Sequence, residues 1–201
     1  MAMTVLGLAG SPRRGGNTET LLDWCLAGAR AQGAVVVKFS LCSLDLHGCQ
    51  ACDRCWKDGK CIVKDDMQML YPHLRKADSI VLAAPTFFQG MPAVPKMMVD
   101  RCQCFWALKY VLHQSLAEPG RPERLGAFLS CSATKTTHAF DGSLTIMKSL
   151  WHVLDVTPAG ELLYAGVDGK GEITEQPGAQ VAAETIGRRL AREREVERKD
   201  T

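Results

Sequence analysis

The chain has 201 residues, 46% hydrophobic and 23% charged, with 24 Lys and Arg against 22 Asp and Glu. That length can bury a full core without disulfides, and a net charge of +2 lacks the basic excess of a general nucleic-acid binder. No apolar run reaches the roughly 18 residues of a membrane helix, and residues 1–10 carry no basic flank of the signal-peptide type, so neither a membrane span nor a leader is expected.

The run Thr4–Ala9 is short, apolar and broken by Gly10-Ser11-Pro12, which predicts a buried strand feeding a loop. Asn17 or Thr18 then offers a helix cap, Leu21, Leu22, Cys25 and Ala29 recur at helical spacing, and Gly33 supplies a stop. Residues 34–41 read as a second strand, residues 45–66 as a cysteine-rich loop, and Met67–Lys76 as a short helix. Residues 79–84 predict a third strand stopped by Pro85. A loop to about Pro92 leads into a helix with Val94, Met97, Met98 and Cys102 on one side. Pro119, Gly120 and Pro122 mark a turn, residues 125–130 a fourth strand, residues 144–154 a helix, and residues 161–165 a fifth strand with a start as early as Val156. The last helix begins near Ala179 with Ala182, Ala183, Ile186 and Leu190 as its apolar stripe. Residues 188–201, six basic against four acidic, read as a solvated helix end that frays. Strand and helix thus alternate five times, which implies a single α/β domain over residues 1–201: a doubly wound parallel sheet with helices on both faces.

Residues 10–18, Gly-Ser-Pro-Arg-Arg-Gly-Gly-Asn-Thr, lie between the first strand and first helix. Glycines let backbone N–H groups converge, and a helix N-terminus adds partial positive charge, so this loop suits a phosphate. Ser11, Asn17 and Thr18 can donate hydrogen bonds, and Arg13 or Arg14 can add charge. The loop has neither the Gly-Lys-Ser/Thr end of a Walker loop nor the Gly-x-Gly-x-x-Gly of a dinucleotide fingerprint. Its bland alternative is a glycine turn that binds nothing. A second loop, residues 84–92, follows the third strand and belongs at the same sheet edge. Its rings and the open backbone at Gly90 suit a flat ligand, although Phe87 and Phe88 taken alone read more readily as core. Residues 130–134 after the fourth strand add small polar groups.

In these segments the sequence resembles the flavodoxin-like, NAD(P)H-dependent FMN reductase superfamily. The resemblance rests on Gly-Ser-Pro-Arg-x-x-Gly-Asn-Thr, on Pro-Thr-Phe-Phe-x-Gly-Met-Pro, and on Lys96 with Asp100-Arg101, and it spans about residues 3–165. It implies a flavodoxin-like sheet of order 2-1-3-4-5 and an FMN cofactor. By the same resemblance Ser11, Arg13, Asn17 and Thr18 sit at the phosphate; Pro85, Thr86, Phe87, Phe88 and Gly90 lie near the isoalloxazine ring; and Ser130, Cys131, Ser132 and Ala133 close the site.

Nine cysteines are an odd number in a domain that needs no staples, so a reducing cytoplasm with metal, cluster or redox chemistry is expected. Cys49, Cys52, Cys55 and Cys61 form C-x2-C-x2-C-x5-C. Four thiolates on so short a loop can wrap a cubane cluster. Zinc, which usually takes paired knuckles on a longer spacer, and an apo loop of free thiols are the alternatives. Followed by Lys64-Asp65-Asp66-Met67, the spacing resembles the motif of iron–sulfur flavoproteins, which carry FMN and a [4Fe–4S] cluster as homodimers or tetramers. Cys102 reads as core, and Cys104 carries little functional weight. His47 and His138 read as surface or packing residues rather than flavin contacts. There is no His-Glu-x-x-His and no Gly-x-Ser-x-Gly, and flavin chemistry needs no catalytic side chain.

The sequence therefore leads to an electron-transferring iron–sulfur flavoprotein, its donor a ferredoxin or a nicotinamide nucleotide. A metal-free NAD(P)H-dependent FMN or quinone reductase is the second reading, and a flavin-binding sensor or carrier without turnover the third. Trp56, Phe105 and Trp106 are expected to supply apolar surface for a homodimer.

Overall fold

The structure, a computed structural model, describes residues 2–116 and 120–192. β1 (Thr4–Ala9), β2 (Val35–Ser40), β3 (Ser79–Ala83), β4 (Arg124–Ser132) and β5 (Val156–Ala165) pair in the order β2-β1-β3-β4-β5, every pair parallel. This is the doubly wound, flavodoxin-like sheet expected from the sequence. β3 is buried along its whole length because helices cover both faces of the sheet. Strand order reverses between β1 and β3, so the loops leaving their carboxyl ends border one crevice.

α1 (Asn17–Arg30) and α7 (Ala179–Leu190) cover one face, where Leu21, Leu22, Leu26 and Leu190 meet Val5, Val81 and Leu129. α3 (Met67–Lys76), α4 (Ala93–Arg101), α5 (Gln103–Tyr110) and α6 (Asp141–Val153) cover the other, where Leu70, Met98, Phe105 and Trp151 meet Leu6, Ile80, Leu82 and Phe128. A single helical turn, α2 (Cys55–Asp58), lies within the cysteine loop.

The structure corrects several local expectations. The cap of α1 is Gly16, not Asn17 or Thr18, and no side chain caps it; Asn17 is drawn into a tertiary contact instead. The helix expected through Cys102 breaks there, and α5 continues the chain after the break. β4 runs on through Ser132, because its last residues pair with Leu163, Tyr164 and Ala165 of β5, so Ser130, Cys131 and Ser132 are strand rather than loop. Phe105 is buried against Tyr71 rather than on the surface. The fully buried stripe of α7 is Ala179, Ala183, Gly187 and Leu190. Pro119 of the expected turn and residues 193–201 of the expected fraying end lie outside the described residues.

Gly187 enters that stripe because α1 and α7 cross backbone to backbone. A Cβ at Gly28 would lie 2.1 Å from Glu184 O, and one at Gly187 would lie 1.8 Å from Cys25 O. A methyl group therefore forces the helices apart, and overpacking of this kind costs roughly 1–3 kcal/mol. Gly28→Ala is expected to lower the urea midpoint accordingly without changing the slope of the transition.

Candidate functional site

Two candidate sites stand out, a cleft at the carboxyl edge of the sheet and a pocket between the cysteine loop and the α4–α5 junction. The first is a cleft of about 140 Å³ between the β1–α1 loop, the loop after β3, the end of β4 and the loop after β5. The β1–α1 loop is folded on itself. Gly10 N donates to Ala83 O at 2.7 Å, Arg13 N donates to Ser11 Oγ at 3.1 Å, and Gly16 N donates to Arg13 O at 3.1 Å. Gly15 takes the turn with φ +60°, and its N–H donates to Glu19 Oε2 at 2.7 Å. Lys38, bonded to Glu19, holds that carboxyl below its ordinary range against the effect of burial, with Gly15 N–H assisting. The start of α1 faces the cleft without a side-chain cap, so its first N–H groups have no helical acceptor and suit a phosphate.

Of the residues expected at a phosphate, Ser11, Arg13, Asn17 and Thr18 all line this cleft. The Asn17 side chain, however, is engaged elsewhere. Its Nδ2 donates to Gly169 O at 2.8 Å, and its Oδ1 accepts from Gly171 N at 2.9 Å and Ile173 N at 3.3 Å. It latches the loop after β5 to the start of α1. Arg13 adds a second tie, Nη1 to Asp168 O at 2.8 Å.

Pro85, Thr86 and Phe87 form the opposite wall, with Cys131 and Ala133 beside them. Ser130 does not line the cleft; its buried Oγ donates to Ala84 O at 2.8 Å and meets Thr86 Oγ1 at 3.3 Å, fixing the wall from behind. Ser132 does not line it either, and its Oγ accepts from Thr134 N. Phe88 and Gly90 stand outside the cleft in a two-residue turn closed by paired bonds between Phe87 and Gly90. Both central residues are left-handed, Phe88 at φ 49° and Gln89 at φ 61°, and Phe88 is 107% exposed. A core role for Phe87 and Phe88 is therefore excluded. A Cβ at Gly142 would lie 2.5 Å from Gln89 O, so a glycine at the start of α6 is what lets the turn rest there. The sequence reading missed Val167 and Asp168, which also line the cleft; the rule that ligands gather at the carboxyl ends of parallel strands could have found them.

The second site is the cysteine loop. Cys49, Cys52, Cys55 and Cys61 line one pocket together with Arg101 and Cys104. Cys49 and Cys52 are exposed, Cys55 and Cys61 half-buried, and all are free thiols. Ala51 and Asp53 adopt φ 50° and 53°, and Gly59 ends α2 at φ 71°. Burial raises the Cys55 thiol above its ordinary value. Four sulfur donors with no nitrogen or oxygen among them suit iron–sulfur chemistry. Among the described residues no three His, Cys, Asp or Glu side chains are drawn together as the ligands of one ion. Cys104 lies at the pocket with its thiol pushed up to about 12 by burial.

The loop is tied down at both ends by a buried ion pair. Arg101 Nη1 donates to Asp65 Oδ2 at 2.6 Å and His47 O at 2.9 Å; Nη2 donates to Asp65 Oδ1 at 3.1 Å and Val63 O at 3.3 Å. Asp65 also accepts from His47 N and Met67 N. Burial would raise the Asp65 carboxyl, but Arg101 and these N–H groups outweigh it and hold the pKa below its ordinary value. His47 and His138 both lie on the surface, His138 beside Asp141. No helix among the described residues is long and apolar enough to cross a membrane.

Residues 3–160 match the model of a family described as NADPH-dependent FMN reductase. An iron–sulfur flavoprotein of Methanocaldococcus jannaschii is 36% identical over 99 residues, 49% of this chain and 51% of that protein. One from Archaeoglobus fulgidus is 37% identical over 106 residues, 53% of this chain and 54% of that protein. The chain thus spans about half the length of the curated relatives it matches. Among solved structures, an NAD(P)H:quinone oxidoreductase from Methanothermobacter marburgensis is similar with a TM-score of 0.67 at 16% identity, over 96% of this chain and 98% of that one. An archaeal flavodoxin is similar with a TM-score of 0.54 at 12% identity, over 94% and 96%. At these identities the structural likeness establishes the fold alone.

The Asn17 latch has a direct consequence. Asn17→Ala removes three hydrogen bonds and orphans the N–H of Ile173, a residue with no exposure. The expected loss of stability is about 2–3 kcal/mol, with hydrogen exchange faster at Gly171 and Ile173 and unchanged in β3.

Proposed function

Because the chain belongs to the NADPH-dependent FMN reductase family, we propose that it is an FMN-dependent oxidoreductase that also carries a [4Fe–4S] cluster on Cys49, Cys52, Cys55 and Cys61. The observation that carries the reading is two separate sites on one chain. One is a phosphate-type loop at an uncapped helix N-terminus, and the other is a pocket lined by all four spaced cysteines. Bound FMN would supply the exchange between two-electron and one-electron chemistry, and the cluster would pass single electrons.

The protein's own contribution is to bind and orient. The start of α1, with Ser11, Arg13 and Thr18, holds the phosphate. Asn17 shapes that site by fixing the loop at 169–173 rather than by bonding the anion. Pro85, Thr86, Phe87, Cys131 and Ala133 wall the flavin side. Phe88 and Gly90 lie at its open margin, and Ser130 and Ser132 brace the wall. The electron donor is a nicotinamide nucleotide or a ferredoxin. With all nine cysteines free, the reading places the protein in a reducing cytoplasm.

Trp56, Trp106 and Tyr110 form a half-exposed aromatic face beside the cysteine loop, with ring centroids 6.3 Å and 5.5 Å apart. We assign this face to a homodimer, with pairing of dimers into a tetramer as a further step, and the alternative is a monomer by sedimentation at micromolar concentration.

The second reading, a metal-free reductase of quinones or free flavins, rests on the cleft alone. Two variants separate the readings. Arg13→Ala is expected to weaken binding of the heat-released flavin, identified as FMN rather than FAD, while iron stays. Cys52→Ser is expected to lose bound iron while FMN stays. Cys52→Ser protein that retains wild-type iron would remove the cluster; flavin identified as FAD, or absent, would remove the FMN assignment.

A further inference from the structure

Arg101 is 2% exposed, and a buried N–H without an acceptor is costly. Nη1 and Nη2 each have two acceptors, but Nε has none. Arg124 shows how this chain completes such a fork when only structure is at stake. It is equally buried, and Nε, Nη1 and Nη2 end on the carbonyls of Ala77, Leu154 and Leu74.

Cys61 is among the side chains that line the pocket with Arg101. Val63, two residues on from Cys61, is already an Nη2 acceptor. Burial works against the Arg101 charge, and the Asp65 carboxylate bonded to it offsets that cost. A neutral thiol is a weak acceptor, whereas a thiolate takes a charge-assisted hydrogen bond. The orphaned N–H is therefore suited to the deprotonated, metal-bound state of Cys61.

We propose that Arg101 is a positioning residue for the cluster: its Nε–H donates to the sulfur of Cys61 and raises the reduction potential of the site. Hydrogen bonds to ligand sulfur are among the levers that set such potentials, because they stabilise the more negative reduced state. Asp65 neutralises the guanidinium at longer range, so the effect is local and carried by the Nε–H. No proton moves; the added electron comes from the protein's redox partner. The inference rests on the cluster reading above.

The test uses the full chain with FMN, reconstituted anaerobically with ferrous iron and sulfide. Arg101→Lys keeps the charge but cannot place an N–H where Nε is. Its cluster midpoint is expected to fall by at least a tenfold change in the one-electron equilibrium, about 59 mV, with FMN content unchanged. An unchanged midpoint overturns the proposal. Because the variant can fail to fold, the wild type is also followed by ¹⁵N NMR of its arginine Nε–H groups. Loading is expected to shift or broaden the Arg101 signal and leave that of Arg124 in place. An Arg101 signal unmoved by loading overturns the proposal. Wild type that binds no iron overturns the cluster reading and this inference together; bound iron with an unmoved midpoint and unmoved Nε removes the role of Arg101 alone.

Discussion

The cysteine loop has its shape because one buried guanidinium holds both of its ends. Arg101 reaches His47 O before the first cysteine and Val63 O and Asp65 after the last. Asp45 and Asp66 also bond across its ends, Gln68 Nε2 donates to Cys61 O and Val63 O, and Trp56 packs on Trp106. Residues 49–54 are exposed, and two of them adopt left-handed backbone without being glycine. A buried ion pair is weak evidence of stability in itself, but removing one partner typically costs about 3–5 kcal/mol, because the other charge is stranded. The pair sits at the end of α4, where the helix breaks at Cys102, and so anchors the loop to the helical layer over the sheet.

The cleft is built on a different constraint, the reversal of strand order between β1 and β3. That topology brings three loops to one crevice, and two side chains of the β1–α1 segment, Arg13 and Asn17, tie the loop after β5 to it. The two sites are thus held by separate parts of the chain, one by the α1 start and one by the α4 end. This separation is why either is expected to survive damage to the other.

The alternation of strand and helix and the two candidate segments were legible in the sequence because each is written locally, whereas the sheet order came from the family resemblance. Apolar runs stop at Gly or Pro, glycines cluster between strand and helix, and four cysteines fall within one short loop. What was not legible depends on distant partners. Nothing near Asn17 announces that its amide faces residues 169–173 rather than an anion. The break at Cys102 interrupts a pattern that reads as one continuous helix. Phe87 and Phe88 read as core by residue type, yet sit on an exposed turn whose seat is the missing side chain of Gly142. Arg101 was visible only as part of a motif, and its work is defined by Asp65, thirty-six residues away.

The central claim is that one chain carries FMN and a four-iron cluster together. The most direct measurement is the stoichiometry of flavin, iron and acid-labile sulfide in anaerobically reconstituted wild-type protein, read beside its absorption spectrum. The account predicts about one FMN with about four irons and four sulfides per chain. Protein that holds its full complement of FMN but takes up no iron or sulfide would contradict it.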